Sequence, residues 1–593
     1  MAYCIINGSA VSNGVFACVQ PPSAKEGDKM TEKTIPIGIE FYKQMIDKHY
    51  YYVDKTMMIK ELLDHPASVS LFTRPRRFGK TLTLNMLKTF FEDERDLQGN
   101  KIDNSQYFKG KKIARCGEKY LQKMGQYPVI SLSLKSVKQP DFEMAYESLQ
   151  NEILREFRRH RYVCNDDILS EDEIERYKRM ISNTVTAAES TSAIAILSEC
   201  LKKYHQKNVI ILIDEYDVPL ENANFANFYD QMAAFIRSLF ESALKTNENL
   251  EFAVITGCLR ISKESIFTGL NNLKIISILR NDYAEYFGFT PKEVHRMLED
   301  YGLADCEEEV QNWYNGYLFG ETEVYNPWSV INYIDENRTK TKIFPRPYWS
   351  NTSSNSIVKD LIENADLNTK KEVESLIAGG TIEKPIHEDV TYEDIYDSQD
   401  NLWNFLFFTG YLKKISERME DDILYFKMRI PNAEVRLIYR TTVLAWFGRE
   451  VKKLELSSLV RAIEEGDCAV FGEFLSAQLL ETISFFDYSE NYYHGFLVGM
   501  LKAIGKYEVL SNRESGNGRP DIIMKSPSLR GKAFIMELKV APSFQKMDII
   551  SEEAVCQAVE KNYLVEIEKE GYSDITVYGI CFYKKECLVR KKE

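Results

Sequence analysis

The sequence predicts an α/β protein of several domains, on three observations. Apolar runs of strand length alternate with amphipathic helical stretches through the first half of the chain. One of those runs opens into a glycine-containing loop followed by a helix. A second, smaller set of strands and helices closes the chain, and 593 residues exceed what one hydrophobic core organises.

In chain order, the pattern places a polar entry segment at 34–66, with a helix at 56–63. A strand at 68–73, a helix at 80–91 and a strand at 128–134 follow, then helices at 141–161 and 187–206. The run 208–213 is continuously apolar, which suits a strand buried on both faces of a parallel sheet. A helix at 225–246 leads to strands at 251–255 and 274–278. From 285 to 465 the pattern is mainly helical. Beyond Asp487 it gives a helix at 491–504, strands at 507–511, 520–525 and 532–540, a helix at 550–569 and a strand at 574–583. The expected division is a poorly ordered extension (1–33), a parallel-sheet domain (34–285), an α-rich lid or connecting region (286–465) and a small α/β domain (466–593).

Composition narrows the function classes. With 44% hydrophobic and 28% charged residues the chain is an ordinary globular one. A net charge of −14 repels phosphate and argues against a general nucleic-acid coat, so such contacts must come from local patches. Candidates are Arg74-Pro75-Arg76-Arg77 and Arg158-Arg159-His160-Arg161, the second reading first as a solvated helix face. Eleven cysteines without a CxxC spacing indicate free thiols in a reducing compartment. No apolar run approaches the roughly 18 residues of a membrane span, and the segment up to Met30 lacks the marks of a signal peptide. A cytoplasmic protein without membrane contact is the expectation.

The loop Arg74-Pro75-Arg76-Arg77-Phe78-Gly79-Lys80-Thr81 lies between strand and helix. In a P-loop, backbone N–H groups and the helix N-terminus cradle phosphates, the lysine reaches the β- and γ-phosphates, and the hydroxyl binds Mg²⁺. Gly79, Lys80 and Thr81 match the closing positions of that motif, and Arg77 and Phe78 complete the candidate nucleotide-binding loop; Arg74 stands where the first glycine belongs. Asp214 and Glu215 end the apolar run at 208–213, where one carboxylate can hold Mg²⁺ and the other can polarise the attacking water. Thr256 ends the next strand and Arg260 follows, placed to contact the γ-phosphate and its charge; a structural ion pair is the competing reading of Arg260.

A second constellation lies near the C-terminus. Residues i and i+2 of a strand share a face, so Glu537 and Lys539 project together. Antiparallel pairing with the strand at 520–525 brings Asp521 to Glu537. Two carboxylates beside a lysine can hold Mg²⁺ or Mn²⁺ and orient a water toward a phosphodiester. His494 reads as a packed structural residue.

The stretches Tyr52-Val53-Asp54-Lys55, 74–81, Ile213-Asp214-Glu215-Tyr216-Asp217 and Gly257-Cys258-Leu259-Arg260-Ile261-Ser262-Lys263 resemble the AAA-ATPase-like proteins of bacteria. Such proteins often carry a C-terminal PD-(D/E)XK nuclease-type domain, and the arginine-rich lead-in is typical of that group. The resemblance implies a P-loop NTPase domain that uses ATP and Mg²⁺. In the C-terminal unit it implies Asp521 and Glu537 as metal ligands, Lys539 beside the attacking water, and Gln557 with Tyr563 as an auxiliary pair. An earlier glutamate completes the pattern, from Glu490, Glu508 or Glu514. The implied protein is an ATP-dependent nuclease with DNA ahead of RNA as its partner, self-association into a homo-oligomer being left open. Its rival is a nucleotide-driven switch whose C-terminal unit binds nucleic acid or protein without cutting; a pure scaffold would leave both acid clusters without a role.

Overall fold

The computed structural model describes residues 33–165, 168–182, 186–260, 266–267, 272–338, 343–351, 366–388, 395, 398–442, 456–482, 490–511, 520–561 and 563–592. All but the last residue of the extension expected at 1–33 lies outside them.

Strands β1 (Val69–Thr73), β2 (Val129–Ser133), β3 (Val209–Asp214), β4 (Leu250–Gly257) and β5 (Leu273–Ile276) form one sheet in the order β2-β3-β4-β1-β5. Every neighbouring pair is parallel. All residues of β1 and β3 are buried, as a strand covered on both faces requires. The crossovers run through helices α1 (Lys80–Phe91), α2 (Phe142–Arg159), α3 (Ala193–His205) and α4 (Tyr229–Phe240). Asp141 caps α2 by accepting from the Met144 N–H, and α3 stops at Gln206, which is left-handed.

Because the strands are parallel, their carboxyl ends share one edge, the usual ligand edge of such sheets. Register sets Thr73 beside Gly257 and Ser133 beside Asp214. The basic run that begins at Arg158 is less solvated than expected. Arg159 pairs with Glu156 and Glu92, and His160 is buried with Nε2 3.0 Å from the Val129 carbonyl.

The middle region is helical, with α5 (Pro327–Asn337) and α6 (Gln399–Phe408), and also holds two small antiparallel sheets. One pairs β6 (Tyr317–Phe319) with β7 (Thr322–Val324); the other orders β8 (Ile382–Pro385), β9 (Lys413–Glu420) and β10 (Ile423–Arg429) as β8-β10-β9. Asp421 and Asp422 join β9 to β10 with φ of +48° and +63°. Two left-handed residues in succession match the twist of a two-residue hairpin, and aspartate tolerates that conformation better than most residues. Strand β9 escaped the sequence reading because six of its residues are exposed and half of them are charged.

At the C-terminus, β11 (Glu508–Ser511), β12 (Ile522–Lys525), β13 (Lys532–Val540), β14 (Asp574–Tyr583) and β15 (Glu586–Lys591) lie in sequential order. Only β13 and β14 run parallel within that sheet. Phe534, Met536 and Leu538 of β13 pack with residues of α7 (Cys468–Thr482) and α8 (Glu490–Ala503). Ala533 and Ile535 face the other way, toward Ala558 of α9 (Met547–Glu560). Gly579, beside Glu537 in the ladder, lets α9 come close: a Cβ there would stand 2.4 Å from the Ser551 carbonyl. Among the described residues no helix is long and apolar enough to cross a membrane.

Candidate functional site

The loop after β1 turns on two left-handed residues, Arg77 (φ +72°) and Gly79 (φ +86°), before α1 begins at Lys80. Arg74 is fully buried. Its Nη1 donates to the carbonyls of Thr73 (2.9 Å) and Ile276 (2.8 Å), and its guanidinium lies over the rings of Phe319 (4.9 Å) and Phe287 (5.3 Å). Burial pulls this guanidinium down to about 9. The residue in the first-glycine position thus points into the core beside the ends of β1 and β5.

Lys80 is buried with Nζ 3.0 Å from the Arg74 carbonyl, 3.2 Å from that of Pro75 and 3.5 Å from Glu215 Oε1. Burial opposes its charge, but neighbouring Cys258, Glu215, Asp217 and Asp214 hold the ammonium above the usual lysine range. Thr81 Oγ1 donates to Asp214 Oδ2 (2.7 Å) and Thr256 Oγ1 to Asp214 Oδ1 (2.6 Å). Burial and then Glu215 raise Asp214, which the two hydroxyls partly counter. Glu215 is in the left-handed region (φ +54°), a strained placement for a side chain of its kind. Burial works against its ionisation, yet Lys80 and Arg76 keep the carboxyl below its ordinary range. Its Oε2 is buried and has no hydrogen-bond partner among the described residues. Behind it, Asp217 Oδ2 accepts from the N–H groups of Cys258 (2.7 Å) and Leu259 (3.2 Å), and burial with Glu215 pushes Asp217 up to about 6. Only glycine fits at 257, where a Cβ would stand 2.5 Å from the Tyr216 ring and 2.9 Å from Asp217.

A cavity of about 300 Å³ opens over this loop. Six Lys or Arg side chains and two Glu line it (Lys55, Arg76, Arg77, Lys80, Lys135 and Lys138 against Glu40 and Glu215). Its apolar lining includes Ile39, Val53, Phe289, Trp328 and Ile331. Arg77 stacks 4.3 Å over Trp328, the second residue of α5, so the middle region supplies one wall.

In the C-terminal sheet, β12 and β13 are antiparallel with Ile522 opposite Met536, which sets Asp521 opposite Glu537. Asp521 Oδ2 accepts from the Leu538 N–H (2.8 Å), and Gln557 Nε2 of α9 donates to Glu537 Oε1. Burial, then the charge of Asp521, push Glu537 up to about 7, with Lys539 opposing. Glu537 Oε2 is buried and has no hydrogen-bond partner among the described residues. A buried carboxylate oxygen without a donor, beside a second carboxylate, is the environment that a divalent cation relieves, so the pair fits such an ion.

Residues 36–267 match the family described as Predicted AAA-ATPase, and residues 488–592 match the PD-(D/E)XK nuclease superfamily. The chain carries an AAA-ATPase-like domain and, C-terminal to it, a PD-(D/E)XK nuclease superfamily domain. It is 26% identical over 338 residues to a protein of Azotobacter chroococcum mcd 1 described as "Uncharacterized protein in vnfD 5'region"; the match covers 56% of this chain and 57% of that protein. No solved structure matches.

Within the AAA-ATPase-like domain, Arg77, Phe78, Gly79, Lys80, Thr81 and Glu215 line one cavity, and Asp214 sits directly behind Thr81. Two residues expected at the γ-phosphate are elsewhere. Thr256 is buried behind Asp214, where it orients the carboxylate. Arg260 is 3.6 Å from Glu388 of the middle region and lines a separate small cavity with it. In the PD-(D/E)XK domain Asp521, Glu537 and Gln557 come together, with Lys539 near enough to act on Glu537. Among the candidates for the earlier glutamate, Glu508 is exposed and pairs with Lys525, at the far end of β12 from Asp521. Glu490 opens α8, and Glu514 lies outside the described residues; Tyr563 opens a short helix. Among the described residues no three His, Cys, Asp or Glu side chains cluster as a metal site. His494, read as packing, is indeed buried, but its Nε2 lies 3.0 Å from the Asp521 carbonyl and 3.3 Å from Ser511 Oγ. Nothing in an aromatic helix start signals that contact, because Asp521 is 27 residues away.

Proposed function

We propose that the chain binds and hydrolyses ATP in the cavity over residues 77–81 and uses the PD-(D/E)XK domain to cleave nucleic acid, DNA ahead of RNA. The observation that carries the first half is the gathering of six cations, three of them from the loop 74–81, around one cavity in a chain of net charge −14. Backbone N–H groups at the start of α1 bind the phosphates, and Lys80 exchanges the Arg74 and Pro75 carbonyls for phosphate oxygens. Thr81 and Asp214 would hold Mg²⁺, which would supply charge neutralisation at the phosphates. Glu215 Oε2, buried with no hydrogen-bond partner among the described residues, accepts a hydrogen bond from the attacking water. The apolar part of the lining, Trp328 and Ile331 included, receives the base.

In the second site, Gln557 and the Leu538 N–H orient Glu537 and Asp521. That pair would hold a divalent cation, which would supply Lewis-acid stabilisation for attack on a phosphodiester. Lys539, on the same strand face as Glu537, stabilises the water or the developing charge. The switch reading, in which the second domain only binds, draws its support from the acidic net charge and from Arg74 in place of a glycine.

The full chain, incubated with labelled single- and double-stranded DNA and RNA, Mg²⁺ or Mn²⁺, and ATP or none, tests the proposal. Metal-dependent cleavage should appear, and Asp521→Asn or Lys539→Ala should reduce it about 100-fold or more. No cleavage by the wild type on any substrate would leave the switch reading in its place, and undiminished cleavage by Asp521→Asn would overturn the assignment of the cutting site to Asp521 and Glu537.

A further inference from the structure

We infer that Lys135 supplies the cation for the terminal phosphate of the bound nucleoside triphosphate, and that Glu40 holds it in place until the nucleotide arrives. The inference rests on the nucleotide reading given above. Strand β2 ends with Ser133 beside Asp214 in the ladder, so Lys135 follows two residues later on the Glu215 side of the site. It lines the same cavity as Lys80, Thr81 and Glu215, and its charge is among those acting on Glu215. That is the flank where an attacking water and the last phosphate meet.

Of the other cations around the cavity, Lys138 is exposed and lies further along the chain from Ser133, and three are engaged more firmly. Lys55 Nζ is 2.6 Å from Glu293 and 2.6 Å from the Glu285 carbonyl, Arg76 pairs with buried Glu221, and Arg77 stacks on Trp328. Arg260, which the sequence nominated for this task, lines a different cavity, 3.6 Å from Glu388. Lys135 pairs with Glu40, which precedes β1, and both side chains are about half exposed (53% and 43%). An exposed pair of this kind is weak. A terminal phosphate carries more charge and more acceptor oxygens than one carboxylate, so it displaces Glu40 at small cost. ADP ends one phosphate short and leaves the pair intact. The device therefore distinguishes ATP from ADP, a task that the loop itself performs poorly because Lys80 and the backbone also grip the β-phosphate.

Calorimetric titration of the full chain with Mg-ATP and with Mg-ADP tests this, using wild type, Lys135→Ala, Lys135→Arg and Glu40→Gln. Lys135→Ala should weaken ATP about tenfold or more and leave ADP within about twofold; Lys135→Arg should restore most of the difference. Glu40→Gln should tighten ATP and not ADP. Equal weakening of both nucleotides by Lys135→Ala, or no change in either, would overturn the assignment while the nucleotide reading stands. A wild type that binds neither would overturn that reading, and this inference with it.

Discussion

Replacing Arg74 by glycine, which restores the usual first residue of a phosphate loop, should destabilise the AAA-ATPase-like domain by about 3 kcal/mol. The side chain is fully buried, donates to two carbonyls and packs between Phe287 and Phe319. Removing it leaves a void between β1 and β5 and adds backbone freedom in the unfolded chain. The opposing term is the burial of a cation with no carboxylate partner among the described residues; its Nε and Nη2 have no hydrogen bond there. Packing and the two hydrogen bonds outweigh that term, because the aromatic faces and carbonyls replace much of the lost hydration. Urea unfolding followed by tryptophan fluorescence reads the change as a lower midpoint at unchanged slope. A midpoint at or above that of the wild type would mean that desolvation of the guanidinium dominates.

The second large effect is on metal affinity in the PD-(D/E)XK domain. Burial and Asp521 push Glu537 up to about 7, so below that pH an incoming cation must first displace a proton. Mn²⁺ affinity should therefore rise about tenfold per pH unit up to about 7 and level off above it. The metal-free domain should show the opposite trend. A carboxyl whose folded value is raised gives stability that is fully present below its unfolded value and is lost as pH rises through the folded one. The window runs from the ordinary glutamate range up to about 7. Mn²⁺ binding followed by electron paramagnetic resonance between pH 5 and 8 checks the slope, and Glu537→Gln should flatten it. A pH-independent affinity in the wild type would show that Glu537 is ionised throughout and is not the group displaced.

Features carried by local pattern were legible in the sequence. The unbroken apolar run before Asp214 specified a strand buried on both faces, and Gly79 with Lys80 placed the start of α1. Alternation along β13 put Glu537 and Lys539 on one face, and antiparallel pairing with β12 then set Asp521 opposite Glu537. What escaped were placements decided by long-range partners. Glu388 takes Arg260 from more than a hundred residues away, and Thr256 is turned toward Asp214 by the parallel register of β3 and β4. Lys135 carries no local mark, since its place depends on β2 lying next to β3. Charged, mostly exposed β9 pairs through backbone and a two-aspartate turn and has no apolar period to reveal it.

The claim on which the rest depends is that Lys80 binds phosphate. It is tested most directly by calorimetric titration of wild type and Lys80→Ala with Mg-ATP. Charge-assisted hydrogen bonds from one ammonium to two phosphates predict saturable one-site binding by the wild type and a loss of about 100-fold in the variant. Equal affinity in the two proteins would contradict the account.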